Sequence, residues 1–117
     1  MKFATNDKYL VILCTAPTMQ SARTIAKALI EKHLVACANL VPSVESIYRW
    51  EGKIEESTEV LLLMKTSVAK HEAALEALQS LHPYDTPEGL AVPVIAGLER
   101  YLDWIDDSLK SECDSLG

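Results

Sequence analysis

The chain has 117 residues, 49% of them hydrophobic and 24% charged, with a formal net charge of −6. One domain with a core of its own is therefore expected, spanning 1–117 with its ordered part over about 8–110. No apolar run approaches the roughly 18 residues of a membrane-spanning helix, and the acidic balance argues against nucleic acid or an anionic membrane as partner, since both need a basic face.

In chain order, residues 1–7 read as a frayed start. Asn6, Asp7 and Lys8 interrupt the segment before an apolar signal region can form, so a cytoplasmic protein is expected. Residues 9–14 (YLVILC) are a continuous apolar run rich in branched side chains, as in a central strand covered on both faces. Thr18 is placed to cap a helix over 18–33, whose apolar stripe is Ala22, Ile25, Ala26 and Leu29; Lys32 and His33 fall in its last turn, where positive charge suits the helix dipole.

Residues 35–66 then read as two long strands reversing at Glu51-Gly52, with the glycine supplying a positive φ. Each arm is about 14 residues, or about 46 Å, against a diameter of about 35 Å for a compact domain of this size. The small residues Ala36, Cys37 and Ala38 point to close packing, and Pro42, which cannot donate to a ladder, marks an edge strand or a bulge. The return arm alternates from Ile54 to Thr58 and is then apolar at both parities from Val60 to Met64, so both of its faces need cover.

Ser67 is placed to cap a second helix over about 68–81, with Ala74, Leu75, Leu78 and Leu81 as its stripe. Two prolines stiffen the loop 82–88. Residues 90–95 read as a last strand, marked as an edge by Pro93 and ended by Gly97; 99–110 read as a closing helix and 111–117 as a loose tail.

This order describes an α+β fold, a ferredoxin-like β-α-β-β-α-β arrangement plus a C-terminal helix, with sheet order 4-1-3-2 and a long hairpin between the second and third strands. The prolines support that order independently, since they fall in strands two and four, the edges, and spare strands one and three. Two helices cover one sheet face. The other face and the long hairpin require further copies of the chain, so a homo-oligomer is expected, and Trp50 beside the hairpin tip reads as an intersubunit contact.

Signatures of catalysis are missing: there is no GxSxG, no HExxH and no phosphate-cradling glycine loop. A protein that is not an enzyme is expected. The cysteines Cys14, Cys37 and Cys113 are odd in number and form no CxxC pair, which leaves a disulfide scaffold unsupported and excludes a structural zinc finger. Of the histidines, His33 and His71 read as solvated helix residues. His82 ends a helix, and either interacts with backbone carbonyls there or serves a site. The topology brings Cys14 and His82 to the same end of the sheet and sends Cys37 to the other. Thiolate plus imidazole is a partial site for copper or zinc. Two ligands do not make a tight site, and a neighbour's residue or water would have to complete it.

The segments CTAP (14–17), ACANLVP (36–42), YRWEGKI (48–54), KT (65–66), HPYDTPE (82–88) and YLDWI (101–105) resemble, in order, the CutA family of divalent-cation tolerance proteins, gammaproteobacterial type. The resemblance covers about 10–110. It implies a PII-like homotrimer with hairpins interleaved about a threefold axis, a cytoplasmic location, and a role in tolerance of copper and other divalent cations. It also implies Cys14 and His82 as ligands of copper, bound with low affinity. The family pattern carries a further histidine just before that of HPY, where this chain has Leu81, so one ligand is lost. Cys37 belongs to the family's strand motif and reads as packing. Two other functions fit the same features: a PII-like sensor of small molecules, with an intersubunit pocket near Lys65, His82, Tyr84 and Trp50, and an assembly module whose loops dock another protein.

Overall fold

In the computed structural model, which describes residues 3–5 and 7–111, the elements are β1 (Phe3–Thr5), β2 (Tyr9–Ala16), α1 (Met19–Glu31), β3 (Cys37–Trp50), β4 (Lys53–Ser67), α2 (Val68–Leu81), β5 (Leu90–Pro93), β6 (Ala96–Leu98) and α3 (Glu99–Leu109). The four main strands form one sheet in the order β3-β4-β2-β5, antiparallel at the pairings of β2 with β4 and β5 and of β3 with β4. This is the expected ferredoxin-like α+β order, with Pro42 and Pro93 on the two edge strands. Neither edge proline has to supply a ladder hydrogen bond.

Helix α1 starts where the threonine directs it. Ser21 N–H donates to Thr18 Oγ1 at 3.0 Å, and Thr18 N–H donates back to Ser21 Oγ at 3.2 Å. This reciprocal pair satisfies two first-turn donors. The helix ends earlier than expected, at Glu31. His33 adopts φ 58°, with its N–H on the Ile30 carbonyl and the Leu34 N–H on the Leu29 carbonyl. That is a Schellman end with histidine in the position glycine usually takes. The half-buried His33 ring reaches Ser108 O at 3.3 Å, so it docks against the end of α3 rather than standing in solvent. Ser67 does occupy the position before α2, but its hydroxyl makes no capping bond.

Ala22, Ile25, Ala26 and Leu29 of α1 are buried with Ala74 and Leu78 of α2 against Ile12, Cys14, Leu62 and Met64 of the sheet, forming the main core. Leu75 and Leu81 pack at its margin. On the opposite face, Leu102, Ile105 and Leu109 of α3 bury Tyr9 and Ala36 in a second, smaller cluster. Tyr9 Oη donates to Asp106 Oδ2 at 2.7 Å and fastens that helix to the central strand. Leu13, Leu61 and Leu63, of the same strand parity as Tyr9, stay half-buried. The lid that α3 supplies is thus partial. Its aromatic residues Tyr101 and Trp104 stack on each other, ring centroids 5.5 Å apart, and remain exposed.

Two expectations at the ends are revised. Part of the frayed start is a strand, β1, paired antiparallel with β6, and Gly97 lies within that pair opposite Ala4 instead of ending a strand. The final strand of the main sheet stops at Pro93, and Ile95 is exposed. Of the loose tail, residues 112–117 lie outside the described residues, and Cys113 with them.

The hairpin is both bulged and long. Its register slips between Val41 and Val44, at Pro42 and Ser43, the latter with φ 61°, and pairing then continues to Trp50 opposite Lys53. The reversal holds Glu51 at φ 50° as well as Gly52 at φ 79°, the two-residue turn whose twist suits paired strands. The molecule extends over 49 × 29 × 21 Å, and its radius of gyration of 15.4 Å exceeds the roughly 13 Å of a compact chain this long.

Candidate functional site

The sheet end where β2 finishes is closed by the loop that follows α2, and Cys14 and His82 meet there as the topology required. Cys14 pairs with Leu62 on the helix-covered face and is fully buried. His82 is 7% exposed. The Tyr84 N–H donates to His82 Nδ1 at 3.1 Å. Nε2 therefore carries the proton, and it donates to the Thr15 carbonyl at 2.7 Å. Both ring nitrogens are occupied, and of the two readings that of a helix-end histidine bonded to backbone describes its geometry. The Cys14 Sγ–H also turns to the Thr15 carbonyl, at 3.6 Å. Leu81, in the place of the family's further histidine, packs against the main core.

Burial pushes the Cys14 thiol up to about 12, helped by the negative charges of Glu88 and Glu59. A thiol held neutral in this way should resist alkylation while the chain is folded. The neutral form contributes stability below its ordinary value of 9.0, a contribution that is lost as pH climbs from there toward about 12. Iodoacetamide labelling read by peptide mass should leave Cys14 unmodified in the native protein and modify it after unfolding in urea. Rapid native labelling of Cys14 would contradict its burial.

Cys37 lies elsewhere. It pairs with Lys65 on the face opposite Cys14, three ladder positions from Leu62, or about 10 Å along the strand. It is not simple packing. Lys65 Nζ donates to Cys37 Sγ at 3.9 Å and to Asn39 Oδ1. Burial raises the Tyr101 pKa, with Cys37 adding to it.

Beside the Cys14–His82 pair opens a cleft of about 760 Å³ between the bulged hairpin and the loop after α2. Tyr48, Trp50 and Tyr84 supply aromatic wall; Glu59, Asp85 and Glu88 supply carboxylates. Of the pocket residues expected from sequence, Tyr84 and Trp50 line it, and Lys65 and His82 do not. Glu59 is 6% exposed and accepts from the Tyr84 hydroxyl at 3.0 Å. Burial first and Glu59 second push that hydroxyl up to about 12, so it stays a donor. The tilted rings of His82 and Tyr84 lie 4.8 Å apart and tie the cleft wall to the buried pair. The carboxylates escaped the sequence reading. The available signal was Glu59, a lone acid against the apolar run 60–64.

As they stand, these side chains do not fit a resident metal. Among the described residues no three of His, Cys, Asp and Glu converge to hold one. His82 has no free nitrogen lone pair, and Cys14 is a neutral thiol.

Residues 10–108 match the model of the family described as "CutA1 divalent ion tolerance protein". The divalent-cation tolerance protein CutA of Thermus thermophilus is 47% identical over 98 residues, covering 84% of this chain and 95% of the relative. The protein of the same name from Escherichia coli O139:H28 is 44% identical over 107 residues, covering 92% and 96%. Among solved structures, CutA from Xylella fastidiosa superposes with a TM-score of 0.86 at 42% identity, covering 90% of this chain and all 100% of that one.

Proposed function

The chain belongs to the CutA1 divalent ion tolerance protein family, and from that membership we propose that it confers tolerance of divalent cations, copper among them, as a cytoplasmic homotrimer that catalyses no reaction. The observation that carries this reading is the match to cation tolerance proteins across 92% of the chain, which includes every segment singled out in the sequence. Trimerisation is supported by the hairpin, whose outer half projects apolar side chains left largely open among the described residues: Ile54 is 69% and Ile47 66% exposed. The cytoplasm is supported by Cys14 and Cys37, both free thiols. Among the described residues, no helix is long and apolar enough to cross a membrane.

Copper enters this reading as a weakly held cation, because the His82 lone pair is engaged by the Tyr84 N–H and Cys14 is held as a buried, protonated thiol in the folded chain. Expression in cells that lack their own copy should restore growth on graded copper; unchanged sensitivity with the protein present would count against the tolerance role. Titration of Cu²⁺ should show weak binding by the native protein and weaker binding by Cys14→Ser. Identical isotherms would remove Cys14 from the site.

A further inference from the structure

We propose that the cleft between the hairpin and the loop after α2 binds a protonated organic amine, a ligand with an apolar or aromatic body and an ammonium group that donates hydrogen bonds. The proposal goes beyond tolerance of inorganic cations and stands on the lining of the cleft.

Every charged side chain in that lining is acidic. Glu59, Asp85 and Glu88 contribute to it, and among the described residues no lysine, arginine or histidine does. A cation is therefore the complementary charge, and the same field acts on the neighbouring Cys14 thiol. The walls, however, are unlike those of a site for a hydrated metal ion. Tyr48, Trp50 and Tyr84 present aromatic surface, and such faces attract an organic cation through the ring quadrupole while covering its carbon skeleton. Inorganic cations gain nothing from the second of these, and the carboxylates do not converge with other donors into a metal cluster among the described residues.

An independent observation points to a ligand with N–H donors. Ser57 Oγ lies in the cleft wall, is shut off from solvent and has no hydrogen-bond partner among the described residues. An unmatched hydroxyl in a shielded position is costly, and an ammonium N–H would satisfy it once rotation of the Ser57 side chain turns the hydroxyl into the cleft. Glu59 is held in place by the Tyr84 hydroxyl and keeps its second oxygen for the same ammonium. The volume of about 760 Å³ is within the range of small-molecule sites.

The test titrates phenethylammonium, its neutral isostere 2-phenylethanol, and Mg²⁺ into the native assembled protein. The Trp104→Phe variant is used so that fluorescence reports Trp50. The expected result is a saturable change with phenethylammonium, binding about tenfold weaker or more for the neutral alcohol, and no competition from equimolar Mg²⁺. The double variant Asp85→Asn, Glu88→Gln changes two exposed loop residues and should keep its circular dichroism while losing severalfold in affinity for the amine. Equal binding of the alcohol, displacement by Mg²⁺, an unchanged affinity in the double variant, or binding confined to dissociated protomers because a second copy fills the cleft would each overturn the proposal.

Discussion

Replacing Ile47 and Ile54 together by aspartate should leave the protein monomeric, while the unmodified chain should sediment and scatter light as the proposed trimer. The register places Ile54 opposite Arg49 and Ile47 opposite Glu56, so the two isoleucines lie diagonally on one face of the hairpin. They are 66% and 69% exposed in the single chain. Covering the open part of each in an assembly contributes about 1–2 kcal/mol, and two per protomer over three protomers sum to about 6–12 kcal/mol. Each 1.4 kcal/mol is a tenfold change in an equilibrium constant, so the loss spans several powers of ten before the cost of burying carboxylates is added. Because both side chains stand clear of the two cores, the monomeric variant should keep the secondary structure of the protomer. A double variant that remains trimeric, or an unmodified chain that is monomeric by the same measurements, would defeat the account of the hairpin as the assembly device.

His82→Ala should lower stability by about 2–4 kcal/mol in metal-free buffer, measured by urea unfolding with a chelator present. The substitution removes a buried ring and both of its hydrogen bonds. It leaves the Thr15 carbonyl without its 2.7 Å donor and the Tyr84 N–H without its 3.1 Å acceptor. His82→Gln, with one acceptor and one donor group, should recover part of the loss. A purely ligating histidine behaves differently: its removal leaves metal-free stability unchanged and abolishes only the shift in melting temperature that copper brings. That outcome would overturn the structural role assigned to His82. The two roles compete for the same lone pair, which is why copper binding here is expected to be weak.

Much of the protomer was legible because the signals are local. The capping threonine, the stripe at 22, 25, 26 and 29, and the apolar run at 9–14 each report on contacts within a few residues or on a single buried face. Pro42 and Pro93 carry longer-range information, since the missing N–H of proline is tolerated at a sheet edge, and the two edges agree with the order that the hairpin between strands two and three and the ferredoxin-like connectivity give. Where local signals misled, a tertiary contact had overridden them. His33 looked like the last turn of a helix, but it is the left-handed residue beyond it, docked on the carbonyl of Ser108. Ser67 looked like a cap, but its position before α2 is held by β4 continuing into the helix, with the Val68 N–H on the Lys8 carbonyl.

The chain's own order of residues determined the ferredoxin-like architecture, the two edges, the excess length of the hairpin and the meeting of Cys14 with His82 at one end of the sheet. All of these follow from backbone chemistry and hydrophobic periodicity. The tertiary structure alone decided what that meeting is. His82 bonds to a carbonyl 67 residues away, Glu59 to a tyrosine 25 residues away, and Lys65 to a sulfur 28 residues away. Such bonds leave no trace in spacing, because they depend on where packed elements bring side chains together. They turn the paired thiol and imidazole into a saturated, buried support, and they place the open, charged surface beside it, in the cleft under the hairpin.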